Sequence, residues 1–345
     1  MKLGASLRLL FIGLLFLASN CFAQTITTFD LPNSILTRPT AINAAGEITG
    51  WFNVANDQTT HAFLRHRNGN FLTFDVTAPS NENPGVPNVY TVYTHPVGIN
   101  LAGEINGSYL SMSHPPELLR ERGFVRRRDG TVTTFGTDED YTAPTASNAI
   151  GQSVGYFTDD LPSPTQGFLR QHDGTLTEFD VAHTSVTHPT AINLLGDTTG
   201  STGGMNGCGF LRDRNGLITT FNVNATEGCS PNGINFAGQI TGWYQDNTAI
   251  YHGFLRQPNG RITTFDVPNS SNTVPVAIGF NGEITGYYLD AGYVYHAFIR
   301  YRDGSFTTFD VPNAIYTYPT AMNDLGQITG WYADANNIVH GFVRQ

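Results

Sequence analysis

The phrase Thr-Thr-Phe-Asp, or a close variant of it, recurs seven times along this chain. Its phenylalanine falls at positions 29, 74, 135, 179, 221, 265 and 309, so the intervals are 42 to 45 residues except for one of 61 residues. A fixed period of this length is the sequence signature of a repeat architecture, in which each repeat forms one supersecondary unit. The chain is therefore expected to fold as seven similar units.

Three further phrases recur between these phenylalanines. Examples are Ala41-Ile42-Asn43, Ile240-Thr241-Gly242-Trp243-Tyr244 and His252-Gly253-Phe254-Leu255-Arg256. Each phrase is short, rich in β-branched or aromatic residues and bounded by Gly, Asn, Asp or Pro, which is typical of a β-strand. Four strands in a period of this length predict a four-stranded propeller blade.

Two connections in the repeat keep a constant length. The third and fourth phrases are always joined through Asn-Gly or Asp-Gly, as at Asn68-Gly69 and Asp303-Gly304. Between the first and second phrases, an asparagine precedes a glycine by three residues in every copy, as Asn43 precedes Gly46. Glycine supplies the positive φ that such tight reversals need. Each unit is thus predicted to be two hairpins in series. This turn density excludes an α-helical array, and a β-solenoid would give no reason for the alternating hairpins.

The two ends of the chain are complementary in this scheme. An unpaired fourth strand, Thr25 to Asp30, opens the repeat region, and the chain stops after a third strand, Gly341 to Arg344. Pairing these strands would hide edges that an open sheet exposes. We therefore expect one all-β domain over residues 24–345. It would be a seven-bladed β-propeller of four-stranded antiparallel blades, with the N-terminal strand completing the last blade.

Composition excludes several classes of function. Only 13% of the residues are charged and the formal charge is −10, which disfavours nucleic acids and anionic membranes as partners. The single lysine is Lys2, so a chain without its N-terminus has no lysine for Schiff-base or P-loop chemistry. No metalloprotease helix, nucleophile elbow or Cys-x-x-Cys pair occurs, and no metal or cofactor is predicted.

Residues 1–23 have the pattern of a secretory signal peptide. Lys2 and Arg8 precede an apolar run from Leu9 to Leu17, and small residues lead to Ala23. The run is shorter than the ~20 residues that a membrane span needs. We therefore expect a secreted or periplasmic protein with no membrane insertion after the signal is removed.

The repeated sequence motifs resemble those of the bacterial HAF-type extracellular repeat family. The resemblance is carried by His61-Ala62-Phe63, by His296-Ala297-Phe298 and by the phrases Ile-Thr-Gly-Trp-Tyr and Thr-Thr-Phe-Asp-Val-Pro, and it covers Thr25 to Arg344. It implies export and tandem repeats, and it transfers no catalytic residue. The fourth unit departs from the pattern, with Cys208 in place of the histidine.

Cys208 and Cys229 are expected to form a disulfide. Cys229 occupies a position that is threonine in the other six copies of Thr-x-Pro, so two repeat positions change to cysteine together. In an oxidising compartment such a pair favours a disulfide. Replacement of both positions by cysteine also predicts that, in other units, His252 and His296 lie near Thr273 and Thr317. These histidines would donate hydrogen bonds to the threonines as structural features of the repeat.

Length variation is concentrated at one end of the predicted blades. The insertions are 77–93 and 108–120, on the face that carries the connection between strands two and three and the crossover between blades. Because function tends to lie on variable loops of a rigid scaffold, this face is the predicted binding surface. Its candidate ligand-binding residues are Tyr90, Tyr93, Tyr109, His114 and Glu117, with Glu82 nearby.

Repetition favours a structural role for most other candidates. Equivalent histidines on different blades are too far apart to share one metal ion, and aspartates that end equivalent strands cap turns. The strand-two aromatics, such as Trp51 and Trp243, could stack on sugar rings but more often pack blade against blade.

Three functions remain open on the sequence alone. The first is an exported binding or scaffold module whose ligand is a glycan or an envelope protein. The second is an extracellular carbohydrate-active hydrolase or lyase, for which the unrepeated acids would supply the catalytic pair; these acids are Glu82, Glu117, Asp138, Glu139, Asp140, Asp159 and Asp160. The third is a structural envelope protein that contacts only other proteins.

Overall fold

The computed structural model describes residues 24–77, 89–113, 118–136, 141–158, 164–204, 207–224 and 228–345. These residues form 28 β-strands and no helix, so the predicted all-β class is confirmed. The expected signal peptide, residues 1–23, lies outside the described residues.

Five sheets contain four antiparallel strands each, in chain order, as the repeat predicts. The first of them comprises β6 (Tyr90–Ile99), β7 (Ile105–Ser113), β8 (Leu118–Arg126) and β9 (Val132–Phe135). The second comprises β10 (Tyr141–Ser147), β11 (Ser153–Thr158), β12 (Thr165–Arg170) and β13 (Leu176–Phe179). The third comprises β14 (Thr187–Ile192), β15 (Thr198–Gly204), β16 (Gly207–Arg212) and β17 (Ile218–Phe221).

The fourth and fifth sheets have the same plan. The fourth comprises β18 (Gly228–Ile234), β19 (Ile240–Gln245), β20 (Tyr251–Arg256) and β21 (Ile262–Phe265). The fifth comprises β22 (Asn272–Ile278), β23 (Ile284–Leu289), β24 (Tyr295–Arg300) and β25 (Phe306–Phe309).

The remaining eight strands form one sheet from the two ends of the chain. Its first part comprises β2 (Ser34–Ile42), β3 (Ile48–Val54), β4 (His61–Arg65) and β5 (Phe71–Phe74). Its second part comprises β26 (Tyr316–Met322), β27 (Ile328–Ala333), β28 (Val339–Arg344) and β1 (Ile26–Phe29). The N-terminal strand β1 pairs antiparallel with β28, placing Phe29 opposite Gly341. The two parts are joined by a single parallel pair, Leu36 and Val339.

The ends of the sheets carry different connections. One end, called the turn face, carries the short turns between first and second strands and between third and fourth strands, such as 43–47 and 66–70. The other end, called the loop face, carries the connections between second and third strands and between successive sheets, such as 55–60 and 30–33. The amide of Gly69 donates to the carbonyl of His66 at 2.9 Å, and Gly69 has φ +90°. The predicted tight turns are thus confirmed.

The glycine of Ile-Thr-Gly is required by close approach of two strands. A Cβ atom on Gly50 would lie 2.2 Å from the carbonyl oxygen of Arg38 on the adjacent strand, where the register shifts after Pro39. A contact that short forces the backbone to move. The same overlap occurs in the other six units, at Gly107, Gly155, Gly200, Gly242, Gly286 and Gly330.

The core lies between neighbouring sheets, because each third-strand phenylalanine meets the fourth strand of the preceding unit. Phe63 is fully buried and packs edge-on against Phe29 at 6.3 Å, while the guanidinium of Arg65 lies 4.8 Å from the Phe29 ring centre. The cation–π pairs of the other units are Arg126–Phe74, Arg170–Phe135, Arg212–Phe179, Arg256–Phe221, Arg300–Phe265 and Arg344–Phe309. This packing accounts for the repeated Phe-Leu-Arg and Thr-Thr-Phe phrases.

The asparagine of Ala-Ile-Asn stabilises its own turn and links that turn to the next unit. Asn43 Oδ1 accepts a hydrogen bond from the amide of Glu47, and Asn43 Nδ2 donates to the carbonyl of Asn100 in the next sheet. Equivalent bonds run from Asn148 to Asn193, from Asn193 to Asn235, from Asn235 to Gly279 and from Asn323 to Asn43.

Candidate functional site

The predicted ligand-binding residues fall into three environments. Tyr90 is exposed on the loop face, with its hydroxyl 2.8 Å from Met112 Sδ. Tyr93 is half-buried and stacks on His95 with ring centres 4.2 Å apart. Tyr109 is fully buried in the core beside Phe124, so its expected role on a binding surface is wrong: its side chain projects between sheets. His114, Glu117 and Glu82 lie outside the described residues.

One repeat position that the sequence analysis did not consider contributes a residue that stacks on Tyr93. The residue between Thr and Pro in Thr-x-Pro differs in nearly every unit although its neighbours repeat, and it stands on the first strand of each unit. In chain order it is Arg38, His95, Ala143, His188, Ser230, Val274 and Tyr318. Variation at one position between a threonine and a proline that repeat was the sequence signal that could have revealed this position.

The partners of this position on the second strand are mostly large aromatic residues. Arg38 is opposite Trp51, whereas His95 is opposite the much smaller Ser108. The corresponding partners in the other units are Tyr156, Ser201, Trp243, Tyr287 and Trp331. Two residues from each unit therefore lie at one level of the molecule.

These residues form a continuous aromatic belt across several sheets. Tyr318 stacks on Trp331 at 4.1 Å, and the Arg38 guanidinium lies 4.5 Å from the Trp331 ring centre and 5.4 Å from that of Trp51. The Trp51 ring is in turn 4.9 Å from His95. We define the aromatic belt as Tyr93, His95, Trp51, Arg38, Trp331, Tyr318, Tyr287 and Tyr295.

A cavity opens at one end of the aromatic belt, between the sheets β18–β21 and β22–β25. It has a volume of about 220 Å³ and is lined by Trp243, Tyr251, Asn272, Tyr287 and Tyr295, among others. The Trp243 and Tyr251 rings meet edge-on at 4.8 Å. Aromatic walls with polar tips suit a ligand that has both apolar faces and hydroxyl groups.

Burial keeps the histidines of this region uncharged at neutral pH. Desolvation lowers the pKa of His95 to about 4 and also lowers the pKa of His188, whose ring stacks on Tyr156 at 4.3 Å. Among the described residues, the Nε2 atoms of both histidines are buried without a hydrogen-bond partner. Desolvation, followed by the charge of Glu121, raises the pKa of Tyr93 well above its usual value. The site therefore presents mainly neutral hydrogen-bonding groups.

The repeat histidines on the loop face form Asp-His-Asp clusters. Nδ1 of His61 lies 2.8 Å from Asp75 and Nε2 lies 3.0 Å from Asp57. Burial would lower the pKa of His61, but the hydrogen bonds to the two aspartates raise it overall. The equivalent clusters are Asp246–His252–Asp266, Asp290–His296–Asp310 and Asp334–His340–Asp30.

The expected hydrogen bonds between these histidines and threonines are wrong. Both ring nitrogens of His252 are engaged by carboxylates, and Thr273 instead accepts a hydrogen bond from the amide of Val267 at 3.0 Å. Thr317 accepts in the same way from Val311, and His296 lies 2.8 Å from Asp310. The carboxylates lie on opposite sides of each imidazole and do not converge. No group of three or more His, Cys, Asp or Glu side chains is placed to hold one metal ion in the described part of the chain.

The predicted disulfide is confirmed. Cys208 in β16 is bonded to Cys229 in β18, with the Cα atoms 5.1 Å apart. It joins two neighbouring sheets at one position that holds histidine in four other units and one that holds threonine in all six. Over the described ranges, the chain contains no apolar helix of membrane-spanning length.

Comparison with solved structures yields similar folds at low identity. A streptogramin B lyase matches with a TM-score of 0.59 and 15% identity, over 93% of this chain and 97% of that one. A virginiamycin B lyase from Staphylococcus aureus, crystallised with quinupristin, matches with a TM-score of 0.57 and 16% identity, over 92% and 99%. A puromycin hydrolase matches with a TM-score of 0.56 and 15% identity, over 89% of this chain and 50% of that one.

These similarities define a protein with a propeller-like fold, and at such identities they show the fold alone. Scans against known protein families and against curated proteins find no match.

Proposed function

We propose that this chain is an exported, closed seven-bladed β-propeller that binds a glycan on its loop face. The eight-stranded sheet would then be two neighbouring blades, since only the Leu36–Val339 pair joins its two parts. Contacts that link successive sheets also link the last unit to the first: Asn323 donates to Asn43, and Arg65 lies over the Phe29 ring. These recurring contacts support ring closure.

The aromatic belt is the observation that carries the binding proposal. Its rings run from Tyr93 through Trp51 and Trp331 to Tyr318, and the position that varies between repeats supplies three of its members, Arg38, His95 and Tyr318. Sugar rings have apolar faces that stack on aromatic side chains and hydroxyl groups that bond to polar tips. Arg38 is the one charged side chain among the eight residues of the aromatic belt, which favours a neutral glycan over an ionic ligand.

Export is supported by the disulfide, because such bonds persist in oxidising compartments. The signal-like segment 1–23 adds to this proposal. Mass spectrometry of the mature protein from a cell expressing the full chain tests it, and a mature N-terminus at Gln24 is expected. A protein recovered in the cytoplasm with residues 1–23 intact would reject export.

A glycan array tests the proposed ligand class. The wild-type protein should bind a subset of neutral glycans, and Trp331→Ala should weaken that binding at least tenfold, because one wall of the aromatic belt is lost. Tyr293→Ala is the matched control, since Tyr293 is an aromatic residue that is 78% exposed and lies outside the belt. Binding to no glycan, together with capture of an envelope protein, would replace this proposal with the protein-contact function.

A carbohydrate-active enzyme is the second candidate. Two of the similar folds belong to lyases and one to a hydrolase, which makes an enzymatic propeller a reasonable alternative. A reducing-sugar assay run on every glycan that binds separates the two candidates. Binding without released reducing ends is expected for the binding module, and turnover would establish the enzyme.

A further inference from the structure

A second cavity lies on the turn face, at the opposite end of the sheets from the loop face. Each of the seven units contributes the end of its first strand to it, and its volume is about 330 Å³. Its apolar lining includes Met322 and a set of isoleucines that are each only 7–8% exposed: Ile42, Ile99, Ile192, Ile234 and Ile278. The floor of this cavity is therefore mainly hydrocarbon, with Ser147 at the equivalent position of the third unit.

The asparagine side chains in the wall are already occupied, whereas Ser147 Oγ is buried there without a hydrogen-bond partner among the described residues. Asn193 Nδ2 donates to the carbonyl of Asn235, and its Oδ1 accepts from the amides of Leu195 and Asp197. Asn43, Asn148, Asn235 and Asn323 are engaged in the same pattern. These side chains hold the sheets together and have little capacity left for a polar ligand.

The rim of the cavity is apolar although it is exposed. Leu101, Leu194, Phe236 and Phe280 lie at the tips of tight turns with 41–54% of their surface accessible, and the two phenylalanine rings are 5.7 Å apart. Turn tips normally carry glycine or short polar residues such as Asn, Asp and Ser. Exposed apolar residues gathered around a concavity mark a binding site rather than scattered surface residues.

We propose that this turn-face cavity binds an uncharged hydrocarbon ligand. Its size falls at the lower end of the range for small-molecule sites. A charged or hydroxyl-rich ligand would lose its hydration there and would gain few hydrogen bonds, because the asparagines are engaged and Ser147 Oγ is left to bond with it. Among the described residues, Asp324 is the one charged residue in the lining, and it disfavours anions further. The inference is independent of glycan binding, which concerns the opposite end of the sheets.

Fluorescence titration with N-phenyl-1-naphthylamine, an uncharged apolar probe, tests the proposal on the full-length mature protein. Saturable binding at one site per chain is expected, and 1-decanol should displace the probe at least tenfold more effectively than decanoate at pH 7. Binding that does not saturate, or equal displacement by the alcohol and the carboxylate, would overturn the proposal.

A variant pair locates the site. The double substitution Phe236→Asp and Phe280→Asp should weaken probe binding at least tenfold and leave the melting temperature close to that of the wild type, because both side chains are exposed. Tyr293→Asp, at a still more exposed aromatic position on the loop face, should leave probe binding unchanged. Equal probe affinity in the double variant and the wild type would also overturn the proposal. Glycan binding by the double variant should be unaffected, which keeps the two proposals separable.

Discussion

Asp30 Oδ2 lies 2.8 Å from Nδ1 of His340, although 310 residues separate the two positions along the chain. In the sheet β18–β21, the equivalent pair is His252 and Asp266, which are only 14 residues apart. The N-terminal segment therefore makes with β28 the same contact that a fourth strand makes with its own third strand. This equivalence links the two ends of the chain into one unit of the repeat.

Phe29→Ala should lower the free energy of unfolding by about 3 to 5 kcal/mol, as for other buried phenylalanine truncations. Phe29 is 8% exposed, lies over Gly341 and packs against Phe63. Denaturant unfolding of the variant and the wild type measures the difference. An unchanged midpoint would mean that β1 does not contribute to the core.

Gly242→Ala should be strongly destabilising or prevent folding. An added Cβ would lie 2.0 Å from the carbonyl oxygen of Ser230, and both groups belong to paired backbone. Gly292→Ala is the control, because its nearest neighbour is the side chain of Asp290 at 3.3 Å. Soluble yield and melting temperature compare the two. Similar losses in both variants would contradict this explanation of the repeated glycine.

Reducing the disulfide should lower stability by about 3 kcal/mol, the value expected for a closed loop of this length. Cys208 and Cys229 are 21 residues apart and join neighbouring sheets. Unfolding with and without a reductant measures the effect, and Cys208→Ser with Cys229→Ser should remove the dependence on reductant. The same transition midpoint in both conditions would argue against the bond.

The Asp-His-Asp clusters should make stability depend on pH in a defined direction. Burial alone would lower the pKa of His61 and His252, but hydrogen bonds to aspartate raise it above 6.5 overall. The contribution of these histidines to folding stability is therefore fully present below pH 6.5 and is lost as pH rises through the folded pKa. Hydrogen bonds from Thr59 lower the pKa of Asp57, so its contribution is present above about pH 3.8 and is lost on further acidification.

The melting temperature measured from pH 4 to 9 tests this dependence. The double variant His61→Gln and His252→Gln should lose less stability above pH 6.5 than the wild type. Buried His95, whose pKa is lowered to about 4, acts in the opposite sense and destabilises the fold as pH falls below 6.5. Because His95 is present in both proteins, the difference between their melting curves across pH reports on the clusters. Parallel curves for the two proteins would reject this role.

The repeat phrases predicted strands, turns and the pairing of β1 with β28 because local propensity and packing agree in each unit. The disulfide was predictable because Cys208 and Cys229 replace two repeat positions together. Tyr109 was misassigned because the sequence gives no measure of which side chains an extended strand buries between two sheets. The aspartate partner of His252 was accessible in principle, since the interval of 14 residues to Asp266 recurs from His61 to Asp75.

The two cavities could not be predicted from any single segment. The turn-face cavity needs Leu101, Leu194 and Phe280, which lie in separate sheets, to converge, and only the arrangement of the units brings them together. The aromatic belt likewise depends on contacts such as that of Arg38 with Trp331, whose positions are remote in the chain.

Hydrogen exchange at the amides of β1 tests ring closure most directly. The amide of Thr25 donates to the carbonyl of Gln345, and that of Gln345 donates back to Thr25. If the terminal strands close the ring, the amides of Ile26–Phe29 should be protected to the same degree as those of Ile262–Phe265, the equivalent strand of an internal unit. Exchange of the Ile26–Phe29 amides at the rate of an unstructured peptide, with Ile262–Phe265 protected, would contradict closure.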